Sequence, residues 1–160
     1  MKQKRELDGY VSPCCFAPGT LILMADGSWK SVEQIENYEW ILSTENVEKE
    51  VGCTTEEPAE EYYILKTKEG HEIQITGEHP MMTDKGWRLV KRLEVGTKLA
   101  RWNHKDVQTE FDSLEFIETK KQNGMVYNLI CDDCAVVANG FICGDFHVQY
   151  QMTVLTKYLK

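Results

Sequence analysis

Apolar residues fall in short stretches along the chain, each closed by a glycine or a polar turn pair, and this pattern predicts strands joined by tight turns. Leu21 to Met24 reads as a strand ending at Asp26-Gly27, a hairpin signal. Val32 to Ile35 reads as one helical turn, Trp40 to Ser43 as a strand, and the acidic Glu45 to Glu61 as a loop or sheet edge. Tyr62 to Lys68 and His71 to Thr76 flank Glu69-Gly70, a second hairpin. Met81 to Thr83 and Trp87 to Val90 flank Asp84-Lys85-Gly86, a third. Lys98 to Trp102 is a strand. So is Thr109 to Lys121, because Phe111, Leu114 and Phe116-Ile117 fit no helical stripe. Val126 to Cys131 and Val136 to Ile142 complete a set that implies an all-β fold.

The two ends differ from the middle. Residues 1–14 read as an arm leading into Cys15. In the tail, Phe146, Val148, Tyr150, Met152 and Val154 alternate with polar residues, and this period of two predicts a half-buried strand. The expected division is a flanking arm at 1–14, one domain at 15–145 and a flanking strand at 146–160.

Charge narrows the function. Eighteen lysines and arginines face 26 acids, a formal charge of −8, so the basic footprint of a nucleic-acid binder is missing. The basic run Lys85 to Arg92 is opposed by Glu94 and by the acids near Glu56. No apolar run approaches the ~20 residues that span a bilayer. Met1 to Asp8 is charged with no apolar stretch behind it, unlike a secretory signal. The expectation is a cytoplasmic, monomeric protein without membrane or nucleic-acid partners. Its six cysteines, at 14, 15, 53, 131, 134 and 143, are then expected as reduced thiols.

Three separated segments carry candidate chemistry. The first is Cys15-Phe16-Ala17-Pro18-Gly19-Thr20-Leu21-Ile22, continued by Asp26-Gly27 and Val32-Glu33-Gln34-Ile35. The second is Thr76-Gly77-Glu78-His79-Pro80, then Gly86-Trp87 and Leu93-Glu94-Val95-Gly96. The third is Val126-Tyr127-Asn128-Leu129, then Val137-Ala138-Asn139-Gly140-Phe141-Ile142. In this order and at this spacing they resemble the Hedgehog/intein (Hint) family, over Cys15 to about Asp145. The resemblance implies a horseshoe of short strands with a pseudo-two-fold arrangement, acting in cis on flanking extein-like segments.

The resemblance also implies roles. Cys15 is the nucleophile that attacks the carbonyl of Cys14 in an N–S acyl shift. His79 protonates the leaving nitrogen, Thr76 orients the bond, and no cofactor or metal is required. Cysteine is the best side-chain nucleophile available without a strong base, since a few per cent is thiolate at neutral pH. Asn128 stands where the family often has aspartate, and an amide hydrogen-bonds but does not titrate. At the other end, splicing inteins close with His-Asn before Ser, Thr or Cys. This chain has Gly144-Asp145-Phe146, which supplies neither the histidine, nor the cyclising amide, nor an acyl-accepting hydroxyl or thiol. Cleavage by water or an outside thiol is therefore expected ahead of splicing.

Other readings compete. Cys131-x-x-Cys134 with Cys143 and His147 has zinc-ligand chemistry, which suits an inactive, zinc-stabilised binding module. A slow splicing element would use Asp145, although that residue also reads as a solvated turn position. Cys14 beside Cys15 suggests a redox gate on the nucleophile.

Overall fold

All three predicted hairpins close where their turns fall, and a fourth appears that the hydrophobic pattern hides. The computed structural model describes residues 3–4, 15–132, 134–145 and 147–152. Expectations for Cys14, Phe146 and residues 153–160 lie outside the described residues.

The strands are β1 (Gln3–Lys4), β2 (Leu21–Leu23), β3 (Trp29–Ser31), β4 (Trp40–Leu42), β5 (Glu48–Glu50), β6 (Cys53–Thr67), β7 (Glu72–Ile75), β8 (Pro80–Thr83), β9 (Gly86–Leu89), β10 (Lys98–Asn103), β11 (Gln108–Ile130), β12 (Ala135–Ala138) and β13 (Phe141–Gly144). Eleven of them form one sheet along the path β1-β6-β11-β10-β8-β13-β12-β2-β3, with β7 beside β6 and β9 beside β8. β4 and β5 pair separately. The fold is all-β, as the turn spacing predicts.

Its spine is the antiparallel pairing of β6 with β11, which runs from Leu114 opposite Thr67 to Ile130 opposite Cys53. Two register shifts, at Leu114/Phe116 and Lys121/Gly124, interrupt it. The predicted strand at 109–121 is thus the first half of a longer one. The acidic stretch 45–61, expected as loop or edge, instead holds β5 and the first half of β6. Its alternation is real, but the inward positions are Thr55, Glu57 and Ala59, which do not register as an apolar face.

The hidden hairpin splits 136–142. β12 and β13 pair Ala138 with Phe141, leaving Asn139-Gly140 as a two-residue turn. Both turn residues have positive φ, 50° and 86°, which Asn and Gly adopt at low cost. The tail is corrected more strongly: residues 147–152 are helical, not a strand. Val148 and Gln149 are buried side by side, a helical rather than an alternating pattern.

A module recurs in the two halves. β2 and β3 form a hairpin, with Trp29 opposite Leu23, followed by a 3-10 turn at Val32–Gln34. β8 and β9 do the same, with Trp87 opposite Met82 and a 3-10 turn at Val90–Arg92. Val32 and Val90 are buried at matching places, as are Ile35 and Leu93. The predicted helical turn at Val32 is the first of these two.

The main core joins both halves through Phe16, Ile22, Leu65, Ile73, Ile75, Leu99, Leu129 and Phe141. Leu65 lies on the β6 spine opposite Ile73 and Ile117 and is fully buried. Leu65→Ala is expected to cost about 2–5 kcal/mol, measured by urea unfolding, because the spine cannot close around the lost volume. A cost below that of an exposed position would mean the core is looser than described.

Candidate active site around Cys15

Residues 15–17 are zipped between β7 and β11. Phe16 N–H donates to the Tyr127 carbonyl at 2.6 Å, and Tyr127 N–H returns to the Phe16 carbonyl at 2.9 Å. On the other side Thr76 N–H donates to the Cys15 carbonyl at 3.0 Å, and Ala17 N–H to the Gln74 carbonyl at 3.1 Å. Phe16 is fully buried, so this short segment has an anchor as well as two ladders.

The ladders deliver Cys15 to Thr76. Cys15 N–H donates to Thr76 Oγ1 at 2.7 Å, and that hydroxyl donates on to the Cys15 carbonyl at 3.2 Å. One hydroxyl therefore clamps both backbone groups of Cys15. Gly77 follows because a Cβ there would stand 2.8 Å from the Tyr63 ring. The turn continues with His79 N–H on the Thr76 carbonyl at 3.2 Å. The His79 ring packs against Phe16, with centroids 4.3 Å apart, and is fully buried.

His79 Nε2 lies 2.8 Å from the Gly144 carbonyl. A carbonyl only accepts, so Nε2 carries the proton in this contact. Through this contact the start and end of the domain meet at one imidazole. His79 thus ties Gly144 to the turn whose Thr76 holds Cys15.

A residue the sequence reading missed completes the group. The Cys15 thiol donates to Glu57 Oε1 at 3.7 Å, and Glu57 is only 8% exposed. Cys15 also packs with Ala59 and Val126. The one available signal was phase: Glu57 shares the inward face with Thr55 and Ala59. Among Glu56, Glu57, Glu60 and Glu61 that phase is not visible from sequence. A groove of about 670 Å³ opens alongside, lined in part by Pro58, Ala59, Tyr63, Thr76, Gly77 and Lys91.

Asn128 is buried on β11, directly after the Tyr127 that holds Phe16. Its side-chain oxygen accepts the Leu129 N–H at 2.8 Å. Asp145 departs from the solvated turn position expected of it, being fully buried. Its Oδ2 accepts the Cys131 N–H at 2.9 Å and its Oδ1 the Val148 N–H at 3.1 Å. This is an N-cap, and it explains the helix at 147–152.

The proposed zinc quartet does not assemble. Cys131 and Cys134 are joined as a disulfide, which also corrects the expectation of reduced thiols at those positions. The third group beside them is Asp145, not Cys143. Cys143 faces Val136 and Met81 across the sheet, and complete burial pushes its thiol pKa far up.

Comparisons with known proteins agree with this geometry. No protein-family model matches the chain. It is 31% identical over 96 residues to the replicative DNA helicase DnaB of Rhodothermus marinus, covering 54% of this chain and 10% of that protein. The chain thus spans about a tenth of the length of that curated relative. Among solved structures it resembles a variant of the Ssp DnaB mini-intein, with a TM-score of 0.72 and 20% identity over 84% of this chain and 96% of that one. It resembles a DnaB intein from Synechocystis sp., with a TM-score of 0.70 and 22% identity over 83% and 99%. It resembles a bacterial intein-like domain from Clostridium thermocellum, with a TM-score of 0.71 and 24% identity over 84% and 99%.

The class these features define is an all-β fold of the kind seen in solved inteins. By fold, the chain is similar to these solved mini-intein and intein-like structures over more than four fifths of its length. No helix among the described residues is long and apolar enough to cross a membrane.

Gly144 gives a direct test of this end of the site. A Cβ there would stand 2.7 and 2.8 Å from Val148 side-chain atoms and 3.1 Å from Pro80. Gly144→Ala is expected to destabilise by about 1–3 kcal/mol in thermal unfolding, with the helix at 147–152 losing its seat first. Unchanged stability would mean that helix does not pack over residue 144.

Proposed function

We propose that the chain is a self-processing domain that cuts the peptide bond between Cys14 and Cys15 through a thioester. The observation that carries this reading is the clamp on Cys15: its N–H on the Thr76 hydroxyl and its thiol on the Glu57 carboxylate. The two contacts separate the nucleophilic sulfur from the nitrogen it must displace.

The steps follow from these groups. Glu57 takes the thiol proton as the sulfur bonds to the carbonyl carbon of Cys14. The carbon–nitrogen bond then breaks, and the nitrogen needs a proton to leave as an amine. His79, one turn from Thr76, supplies it from Nδ1 in its protonated form. The proton lost by sulfur and the one gained by nitrogen balance. Positioned acid–base help of this kind is worth about 10²–10⁴-fold. Holding the thiol against the carbonyl of the same backbone supplies ~7–11 kcal/mol in favourable intramolecular cases.

Water or an external thiol in the adjacent groove then takes the acyl group. The downstream end argues for cleavage over splicing. Asp145 spends both carboxylate oxygens on backbone N–H groups, and Gly144 brings no side chain. The flanking polypeptide in cis is the substrate.

Intact-mass measurement with and without dithiothreitol or hydroxylamine tests the reading. The wild type is expected to lose residues 1–14 under thiol, and Cys15→Ala to keep them. Identical masses for the two would overturn it. His79→Ala is expected to slow the loss by about 10²-fold or more. Glu57→Gln is expected to slow it most near neutral pH and less as the pH rises, because hydroxide then replaces the lost base. A uniform slowing at every pH would remove Glu57 from the base role.

A further inference from the structure

The Cys131–Cys134 disulfide takes no part in the chemistry proposed at Cys15, yet it closes a loop that grips one residue from two sides. The Cys131 N–H donates to Asp145 Oδ2 at 2.9 Å. The Cys134 carbonyl accepts the Asp145 N–H at 3.2 Å. One end of the loop thus holds the side chain of Asp145 and the other end holds its backbone.

Asp145 in turn starts the downstream helix. Its Oδ1 caps the Val148 N–H, and its carbonyl accepts the Gln149 N–H at 3.2 Å. Among the described residues the helix at 147–152 is held at its start by this cap and by Val148 seated over Gly144.

We propose that Cys131 and Cys134 form a thiol-responsive latch on the downstream segment. As a disulfide the pair fixes both grips on Asp145 and keeps the helix docked. An external dithiol delivers two electrons and two protons. The bond between Sγ131 and Sγ134 breaks, each sulfur becomes a thiol, and the reductant's own sulfurs become a disulfide. Two separate thiols need well over the ~2 Å that bonded sulfurs occupy. Both cysteines are buried, 2% and 4% exposed, so the extra room comes from parting the loop ends. Parting them misaligns the Cys131 N–H and the Cys134 carbonyl, and the cap on the helix is lost.

The latch does not require Cys15 to react, so it is tested on the full chain carrying Cys15→Ala. Alkylation after denaturation is expected to count two more thiols in the reduced chain than in the oxidised one. Hydrogen exchange at the Val148 and Gln149 amides is expected to quicken by roughly fivefold or more on reduction, the loss of one cap. Amides of Leu65 and Val137 in the sheet are expected to hold in both states, which excludes general unfolding. Cys131→Ser with Cys134→Ser is expected to mimic reduction, and Asp145→Ala to give fast exchange in either redox state. Equal exchange at Val148 and Gln149 in the oxidised and reduced chains overturns the proposal. So does an unchanged thiol count after oxidising and reducing treatment.

Discussion

The geometry of the site rests on the two backbone ladders that seize residues 15–17. Each of the four bonds is worth about 0.5–1.5 kcal/mol net, and the buried Phe16 ring adds roughly 1.5–3 kcal/mol. Those modest sums fix the position of one amide and one thiol. Thr76 hangs from the same ladder, because its N–H is one of the rungs. His79 hangs from Thr76. Cys15, Thr76 and His79 are thus consecutive links of one hydrogen-bonded chain.

Close approach is the second constraint. Gly77 lets the Tyr63 ring lie against the turn between Thr76 and His79, and Gly144 lets Val148 lie over the end of β13. Position 144 has no room for a larger side chain such as histidine. The space that such a side chain would fill is taken by the downstream helix. His79, reaching the Gly144 carbonyl from the opposite direction, links the two ends of the domain.

Much of this was legible. The hairpins at Asp26-Gly27, Glu69-Gly70 and Asp84-Lys85-Gly86 announce themselves through turn residues whose conformational needs are local. Cys15, Thr76 and His79 sit in short motifs, and those motifs meet in space. What was not legible depends on long-range partners. The first half of β6 hides because its inward face is Thr55, Glu57 and Ala59, polar or small, and only the apposed β11 makes it a strand. Glu57 is indistinguishable from its acidic neighbours until Cys15 is placed against it. The tail alternates like a strand, but Asp145 caps it into a helix, and a capping carboxylate outweighs a weak period of two. Asn139-Gly140 was readable in principle, since that pair is a strong hairpin signal, and was masked by the unbroken apolar run on both sides.

Phe16 takes its rungs from residues near 75 and near 127, far apart in sequence and on opposite sides of it. Such non-local pairings form late, after the entropy of closing long loops has been met. During synthesis the first of the key residues emerges more than a hundred positions ahead of the last. The rungs that hold Phe16 therefore close only once β7 and the far end of β11 are both available, so the seat of Cys15 is among the last parts of the sheet to be built.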